Sequence, residues 1–431
     1  MSSRREAGGA GGGKPQHQPP VTLMKLSAAP RAYAVPSLPA PLYMSDPGFS
    51  GTVLVTGGAG FIGSHLADEL LRRGAHVRAL DALSEQVHGP EASADGFRPD
   101  YLAPEVELVR GDVRDRKAVR AALDGVDRVV HLAAAVGVGQ SMYEIAEYTD
   151  VNNLGTAVLL EEVVARREAD RPVEKLVVAS SMSLYGEGLY ASPRGDGGTR
   201  EGRPRGRRQL EAHDWELRDA DGEALVPLPT PETKTPDPTS VYALSKYDQE
   251  RLCLITGDAY GIPTAAMRFF NVYGPRQALS NPYTGVLAIF GSRFLNDTPP
   301  LIFEDGRQMR DFVHVTDVAR AVALALASPE ADGEVFNVGS GEPRSILDIA
   351  ETMAEVLGKA HLEPQVVEKY RVGDVRHCFA DVTKAQERLG YRPEVDFRAG
   401  LDELAGWLET QTADDRVDQA SGELAARGLT V

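Results

Sequence analysis

The sequence predicts a doubly wound α/β fold with a parallel, Rossmann-type sheet and a smaller α/β lobe toward the carboxyl end. Three observations predict it. Residues 52–63 read as a buried strand, a glycine turn and the start of a helix. Apolar runs rich in β-branched residues then alternate with helical spacings as far as Asn271. Beyond Asn271 that alternation breaks down. Repeated strand–helix–strand units bury both faces of a parallel sheet and gather ligands at the carboxyl ends of its strands.

The first strand runs into Gly57-Gly58-Ala59-Gly60, and the apolar pattern resumes at Ile62, Leu66 and Leu70 with helical spacing. Gly57, Gly60 and Gly63 stand as G-x-x-G-x-x-G. Such a turn brings backbone N–H groups and a helix N-terminus against a pyrophosphate. An ordinary glycine-rich turn shares the spacing, so the context matters. The second run, 76–80, ends in Asp81, 18 residues after Gly63. A carboxylate there accepts from both ribose hydroxyls and repels a 2′-phosphate, which favours NAD over NADP, where the bland alternative is a turn aspartate.

Further strands follow at 106–109, leading into Gly111-Asp112-Val113, and at 128–133. Val151, Leu154 and Val158 mark a long helix, 175–181 is the next strand, and 264–270 follows a helix around 242–260. After Asn271, Pro275, Pro282, Pro299 and Pro300 punctuate short pieces of a separate lobe: 312–313, 335–338 and helices over 345–357 and 399–408. The organisation expected is a disordered extension over 1–48, with Met24 and Met44 as alternative starts, then an NAD-binding domain over 49–271. A substrate lobe over 272–410, with some chain crossing back to the sheet, and a tail over 411–431 complete it. Within the first domain, 187–238 is an insertion rich in Gly, Pro and Arg, including Arg194, Arg200, Arg203, Arg205, Arg207 and Arg208. It reads as a solvated loop or, more sharply, as a lid.

Composition narrows the class. The 431 residues carry a net charge of −17, which disfavours nucleic acid and anionic membranes as partners. Cys253 and Cys378 alone cannot build a disulfide framework or a four-cysteine metal site, and they suit a reducing cytoplasm. No run of about eighteen apolar residues occurs, and the first residues lack the apolar segment of a secretory signal.

Ser181 ends a buried run, and Tyr242-Ala243-Leu244-Ser245-Lys246 follows on the next helix. A Tyr and a Lys four apart share one helix face. An ammonium beside a phenol favours the phenolate and makes it a usable base, and Ser181 can hydrogen-bond the same reacting oxygen. Each motif is common alone. The glycine turn, strand-end serine and Tyr–Lys pair in this order are specific.

With those residues in place, the chain resembles the extended short-chain dehydrogenase/reductase family of NAD-dependent nucleotide-sugar epimerases and dehydratases. The likeness runs from about Thr52 to Leu408, through 56–63, 111–113, 131–135, 180–186, 242–246, 268–276 and 310–314. The resemblance implies that Tyr242 is the acid/base, Lys246 its electrostatic partner and ribose contact, and Ser181 the third catalytic member. It places Gly57, Gly60, Phe61, Ile62, Gly63 and Asp81 on the dinucleotide. Asp112 and Val113 would meet the adenine, Ala133 and Ala135 the dinucleotide, and Asn152 the region near Ser181. Ser181, Ser183, Asn271, Arg310, Arg371 and Asp374 would meet the sugar nucleotide, the arginines at phosphates. The helices around 151–164 and 240–260 resemble the pair that forms a homodimer interface in this family.

The residues after Ser181 bear on the chemistry. Family 4,6-dehydratases carry an acid pair there, whereas this chain has Met182 and Ser183, which are poor proton donors. The resemblance therefore favours reversible oxidation at C4 and return of the hydride to the other face, a redox-neutral 4-epimerisation. The stretches 225–232 and 423–429 resemble the dTDP-L-rhamnose 4-epimerase group, which suggests a dTDP-6-deoxyhexose. Members of that group often carry cysteines arranged like a zinc ribbon in the insertion. This insertion has none, so no metal is expected. The competing readings are another activity on the same sugar class (UDP-sugar epimerase, decarboxylase, dehydratase or 4-ketoreductase) and a redox-inactive NAD-binding protein.

Overall fold

The computed structural model describes residues 48–194, 198–279, 285–371, 373–411 and 417–430. The expected extension over 1–48 lies, except for Gly48, outside the described residues. Among the described residues, the organising element is a seven-stranded parallel sheet. Its strands are β1 (Thr52–Thr56), β2 (His76–Asp81), β3 (Glu107–Arg110), β4 (Arg128–His131), β5 (Lys175–Ser181), β6 (Thr264–Phe269) and β7 (Val335–Val338). They lie side by side in the order β3-β2-β1-β4-β5-β6-β7. The order reverses direction between β1 and β4, which opens a crevice at the carboxyl ends of those two strands.

Side chains alternate across the sheet, as the two-residue period of a strand requires. Val53, Val55, Val77, Ala79, Val130 and Val177 enter one apolar core, while Leu54, Leu80, Val129, Leu176 and Val178 enter another. Helices close both. These are α1 (Phe61–Arg72), α2 (Arg116–Leu123), α3 (Gly155–Glu168), α4 (Val241–Tyr260) and α6 (Val315–Ala327), while α5 (Val286–Leu295), between α4 and α6 in the chain, belongs to another core. Leu66 and Leu70 of α1 and Val318 and Val322 of α6 pack on the first face. Val119 of α2, Leu159 and Val163 of α3 and Cys253 of α4 pack on the second.

A third core, built from Leu287, Phe290 and Phe294 of α5 together with α7 (Ile346–Val356) and α8 (Phe397–Leu408), fills a smaller lobe. Its strand Met309–His314 pairs with Asn271–Tyr273, Pro343–Ser345 and His377–Cys378. Both cysteines are enclosed: Cys253 is 0% and Cys378 1% exposed, and burial pushes both thiols up to about 12.

Three details differ from the sequence reading. Residues 335–338 are not part of the lobe, because Val335–Val338 pairs with β6 as the last strand of the main sheet. The helix through Val151, Leu154 and Val158 is broken in character, a π-helical turn over Thr149–Leu154 preceding α3. The insertion is ordered around a three-stranded sheet of Leu189–Ala191, Thr199–Glu201 and Val226–Leu228. Its arginines are not all solvated. Arg205 is buried with Glu304 and Glu187, and the insertion's Glu216 meets Arg376, which comes from outside the insertion and also pairs with Glu304 and Asp305. The tail, read from the sequence as helical or loose, includes a helix, Val417–Ala426.

Candidate functional site

The glycine turn is dictated by contact. Gly57 has φ +69°, and its amide donates to Leu80 O at 2.8 Å, tying the turn to β2. A Cβ on Gly63 would lie 2.1 Å from Gly57 O, and one on Gly58 would lie 2.6 Å from Ala79 Cβ. Gly58 escaped the sequence reading because the need for it comes from the neighbouring strand rather than from motif spacing. Gly60 caps α1 with extended backbone. The result is a bare main-chain cradle at a helix N-terminus, the form that admits a pyrophosphate. Asp81 stands at its edge, at the end of β2. Its carboxylate accepts from Ala59 N at 3.0 Å and Leu83 N at 2.9 Å, which fixes it beside the cradle. The donor set and the shape both fit NAD.

Along the same edge, Thr56 ends β1, His131 ends β4 and Ser181 ends β5. Ser240 caps α4 through Ala243 N at 3.1 Å, so Tyr242 and Lys246 emerge from the first two turns of that helix. Tyr242 lies near Ser181; burial pushes the phenol up, and the Ser181 hydroxyl draws it back down. Ser181 Oγ accepts from Ser183 Oγ at 2.9 Å and from Ser183 N at 3.2 Å. With its lone pairs so occupied, Ser181 keeps its own proton to donate. Tyr148 packs edge-on against the Tyr242 ring, centroids 6.4 Å apart, and Ser141 Oγ accepts from Tyr242 N at 3.0 Å. Lys246 is buried, which brings its ammonium down to about 8, and it donates to Gln249 Oε1 at 2.7 Å.

Other expected residues fall less simply. Ala133 and Ala135 follow β4, their amides donating to Thr56 Oγ1 at 3.2 Å and Asn152 Oδ1 at 2.7 Å. Asn152 also donates to Ala135 O and to Ser245 Oγ, so it braces the cofactor strand against α4 rather than meeting Ser181. Val113 is buried in the core, and the Asp112 carboxylate is engaged by Arg114, which holds it below the usual range.

Arg310 does not present a free fork for phosphate. It donates to the carbonyls of Met309 and Arg376 at 2.9 Å each, and to that of Val375, holding the segment that carries Asp374. Asp374 itself is exposed, and its carbonyl accepts from Arg205 at 3.3 Å. Among the described residues, Asn271 keeps a buried, unpartnered Oδ1, and Arg371, whose guanidinium lies 4.1 Å from the Phe303 ring, keeps a buried, unpartnered Nε. Such groups are suited to a polar ligand. The tail returns to this region: Thr430 bridges Arg371 in antiparallel fashion, while Arg427 stacks on Tyr143, 4.1 Å from its centroid.

Comparison with known proteins agrees with this arrangement. The dTDP-L-rhamnose 4-epimerase of Burkholderia thailandensis is 38% identical over 359 residues, 83% of this chain and 94% of that protein. The Thermotoga maritima UDP-glucose 4-epimerase with UDP-glucose superposes with a TM-score of 0.65 at 30% identity, over 83% of this chain and 98% of that one. The Thermus thermophilus UDP-glucose 4-epimerase complex with NAD does so with 0.63 at 31%, over 84% and 100%. The model of the NAD dependent epimerase/dehydratase family matches residues 53–208 and 221–339, and to that family this chain belongs.

Proposed function

We propose that this chain is an NAD-dependent 4-epimerase of a nucleotide-activated sugar, acting on a dTDP-linked 6-deoxyhexose such as dTDP-L-rhamnose through a transient 4-keto sugar. The observation that carries the reading is Ser181 at the end of β5 facing Tyr242, with Lys246 one helical turn further along α4. Tyr242 takes the C4 hydroxyl proton and later returns one, while Ser181 donates to the same oxygen. Lys246 favours the phenolate by its charge. NAD supplies a hydride acceptor at C4 that becomes the donor in the return step. Met182 is buried and Ser183 is spent on Ser181, so neither serves as the acid that loss of water demands. The 38% relative supports dTDP-L-rhamnose over a UDP-sugar. In this reading Asn271 and Arg371 face the sugar diphosphate.

A homodimer belongs to the same reading. Leu244 and Ile255 stand exposed on α4, eleven residues and three turns apart on one face, and Leu154 is exposed beside α3. That face presents Leu244 and Ile255 on either side of Asp248 and Arg251, where a second copy would pack.

The test is proton NMR of the purified protein with dTDP-L-rhamnose and then UDP-sugars, without added cofactor. A C4-inverted product with no pyridine-nucleotide turnover is expected. A stable 4-keto product would replace this reading with a dehydratase. Tyr242→Phe should lose about 10²–10⁴-fold in kcat while retaining NAD. Unchanged turnover would remove Tyr242 from the chemistry.

A further inference from the structure

The hold on Lys246 is part of a longer construction. Gln249 is 0% exposed and sits one turn beyond Lys246 on α4. Its Oε1 accepts from Lys246 Nζ, and its Nε2 donates to Thr156 Oγ1 at 2.8 Å, with Ala133 O at 3.5 Å. The Thr156 hydroxyl gives its own proton to Asn152 O at 2.5 Å. Its oxygen is therefore an acceptor for Gln249. His131 Nε2 lies 2.9 Å from Thr156 Oγ1 and 3.2 Å from Gln249 Nε2, and Nδ1 lies 2.7 Å from Thr56 Oγ1, so the ring links Thr56 to the Gln249 amide in either tautomer. Burial and the Lys246 charge keep that ring neutral, its pKa pushed down to about 3. An unbroken buried chain thus runs from the end of β1, beside Gly57, to the ammonium. It also fixes which way the Gln249 amide points, because the flipped amide would aim N–H groups at Lys246.

We propose that Gln249 is a positioning residue whose carboxamide oxygen holds the Lys246 ammonium beside Tyr242, in a direction set by Thr156, His131 and Thr56. The inference rests on the reading of Tyr242 and Lys246 given above. The charged and titratable groups that act on Lys246 are His131 on β4 and Glu250 and Cys253 on α4, with Tyr242 one turn earlier on the same helix. The Glu250 charge is answered by a two-pronged bond from Arg268 and a third from Ser180. From α3 and the turn before it come only the neutral Thr156 and Asn152 among the side chains of this network. Gln249 is thus the acceptor that meets the ammonium directly without cancelling its charge. A charged amine buried without an acceptor is costly, so loss of this oxygen favours the neutral amine and withdraws support from the phenolate.

The test compares Gln249→Leu, Gln249→Glu and Tyr242→Phe with the unaltered holoenzyme. In Gln249→Leu the alkaline limb of kcat, where the ammonium is lost, is expected to move down by about one pH unit, a tenfold change in protonation ratio. The acid limb, where the phenolate forms, moves up, so the bell narrows from both sides while KM for the sugar nucleotide changes little. In Gln249→Glu the alkaline limb moves the other way, because a carboxylate favours the ammonium. A second readout needs no turnover. Ultraviolet tyrosinate titration of the apoprotein, with the Tyr242→Phe curve subtracted, should show the Tyr242 phenol ionising at higher pH in the Leu variant. Equal shifts in the Leu and Glu variants, or none, would overturn the role of Gln249 while Tyr242→Phe stays inactive. Full turnover in Tyr242→Phe would instead overturn the underlying reading and this inference together.

Discussion

Three buried histidines give the molecule a definite response to acid. His131 is pushed down to about 3 by burial and Lys246, and His65 to about 4 by burial and Arg276. His314 is pushed to about 4 by burial, with His65 and Arg320 adding to it. Each stays neutral in the folded chain but would take a proton in the unfolded chain below its ordinary value of 6.5. Their contribution to stability is therefore complete above pH 6.5 and is lost as pH falls through about 4 and then 3. Thermal unfolding of the apoprotein should show a melting temperature that declines steadily below pH 6.5, with His131→Gln making the decline shallower. At this scale the sequence was legible where chemistry is local. Gly57, Gly63, Asp81, Ser181, Tyr242 and Lys246 sit where short spacings put them. Arg310, Asn152 and Gln249 were misjudged or unseen because their partners lie on elements far away in the chain.

Among the elements, the insertion carries an unusual load. Its attachment is a buried set of opposite charges: Arg376 lies between Glu216 of the insertion and Glu304 and Asp305 of the lobe, and Arg205 returns to Glu304. Removing the central cation leaves Glu304 to Arg205 alone and strips the half-buried Glu216 and Asp305 of their shared partner, a loss of about 1.5–3 kcal/mol for hydrogen bonds between charged groups. Arg376→Gln is accordingly expected to release the insertion first. Limited proteolysis should cut within 187–238 before the main sheet is attacked. The arginine-rich composition suggested a solvated loop, since the burial of Arg205 depends on Glu304, 99 residues away, which no local pattern announces. The helices tell the opposite story. α1, α4, α7 and α8 fall within a few residues of their expected spans, because caps such as Ser240 and Ser345 and the apolar period are written locally.

For the whole molecule, topology was legible through β6 and then failed at a single strand. Val335–Val338 is a short apolar run, equally at home in a lobe or at a sheet edge, and only pairing with β6 decides between them. The chain thus leaves the sheet to build the lobe and returns through α6 and β7 before leaving again. The lobe is consequently anchored at both ends, and Arg310 clamps the main chain at 375–376 from within it. The assembly makes its own prediction. Leu154→Asp combined with Ile255→Asp, two exposed apolar positions, should convert the proposed dimer to monomer in sedimentation equilibrium while the fold, followed by circular dichroism, is kept. A wild-type protein that already sediments as a monomer would dismiss the dimer.

The enclosure of Cys253 and Cys378 gives experimenters an opening. With both sulfurs inside the protein and their thiols pushed up to about 12, a maleimide dye at neutral pH finds almost no thiolate to attack. The natural chain is, to such a reagent, blank. A single cysteine introduced at exposed Val226 would be the sole point of labelling. A fluorophore placed there could follow the insertion in real time as nucleotide sugars are added and washed away.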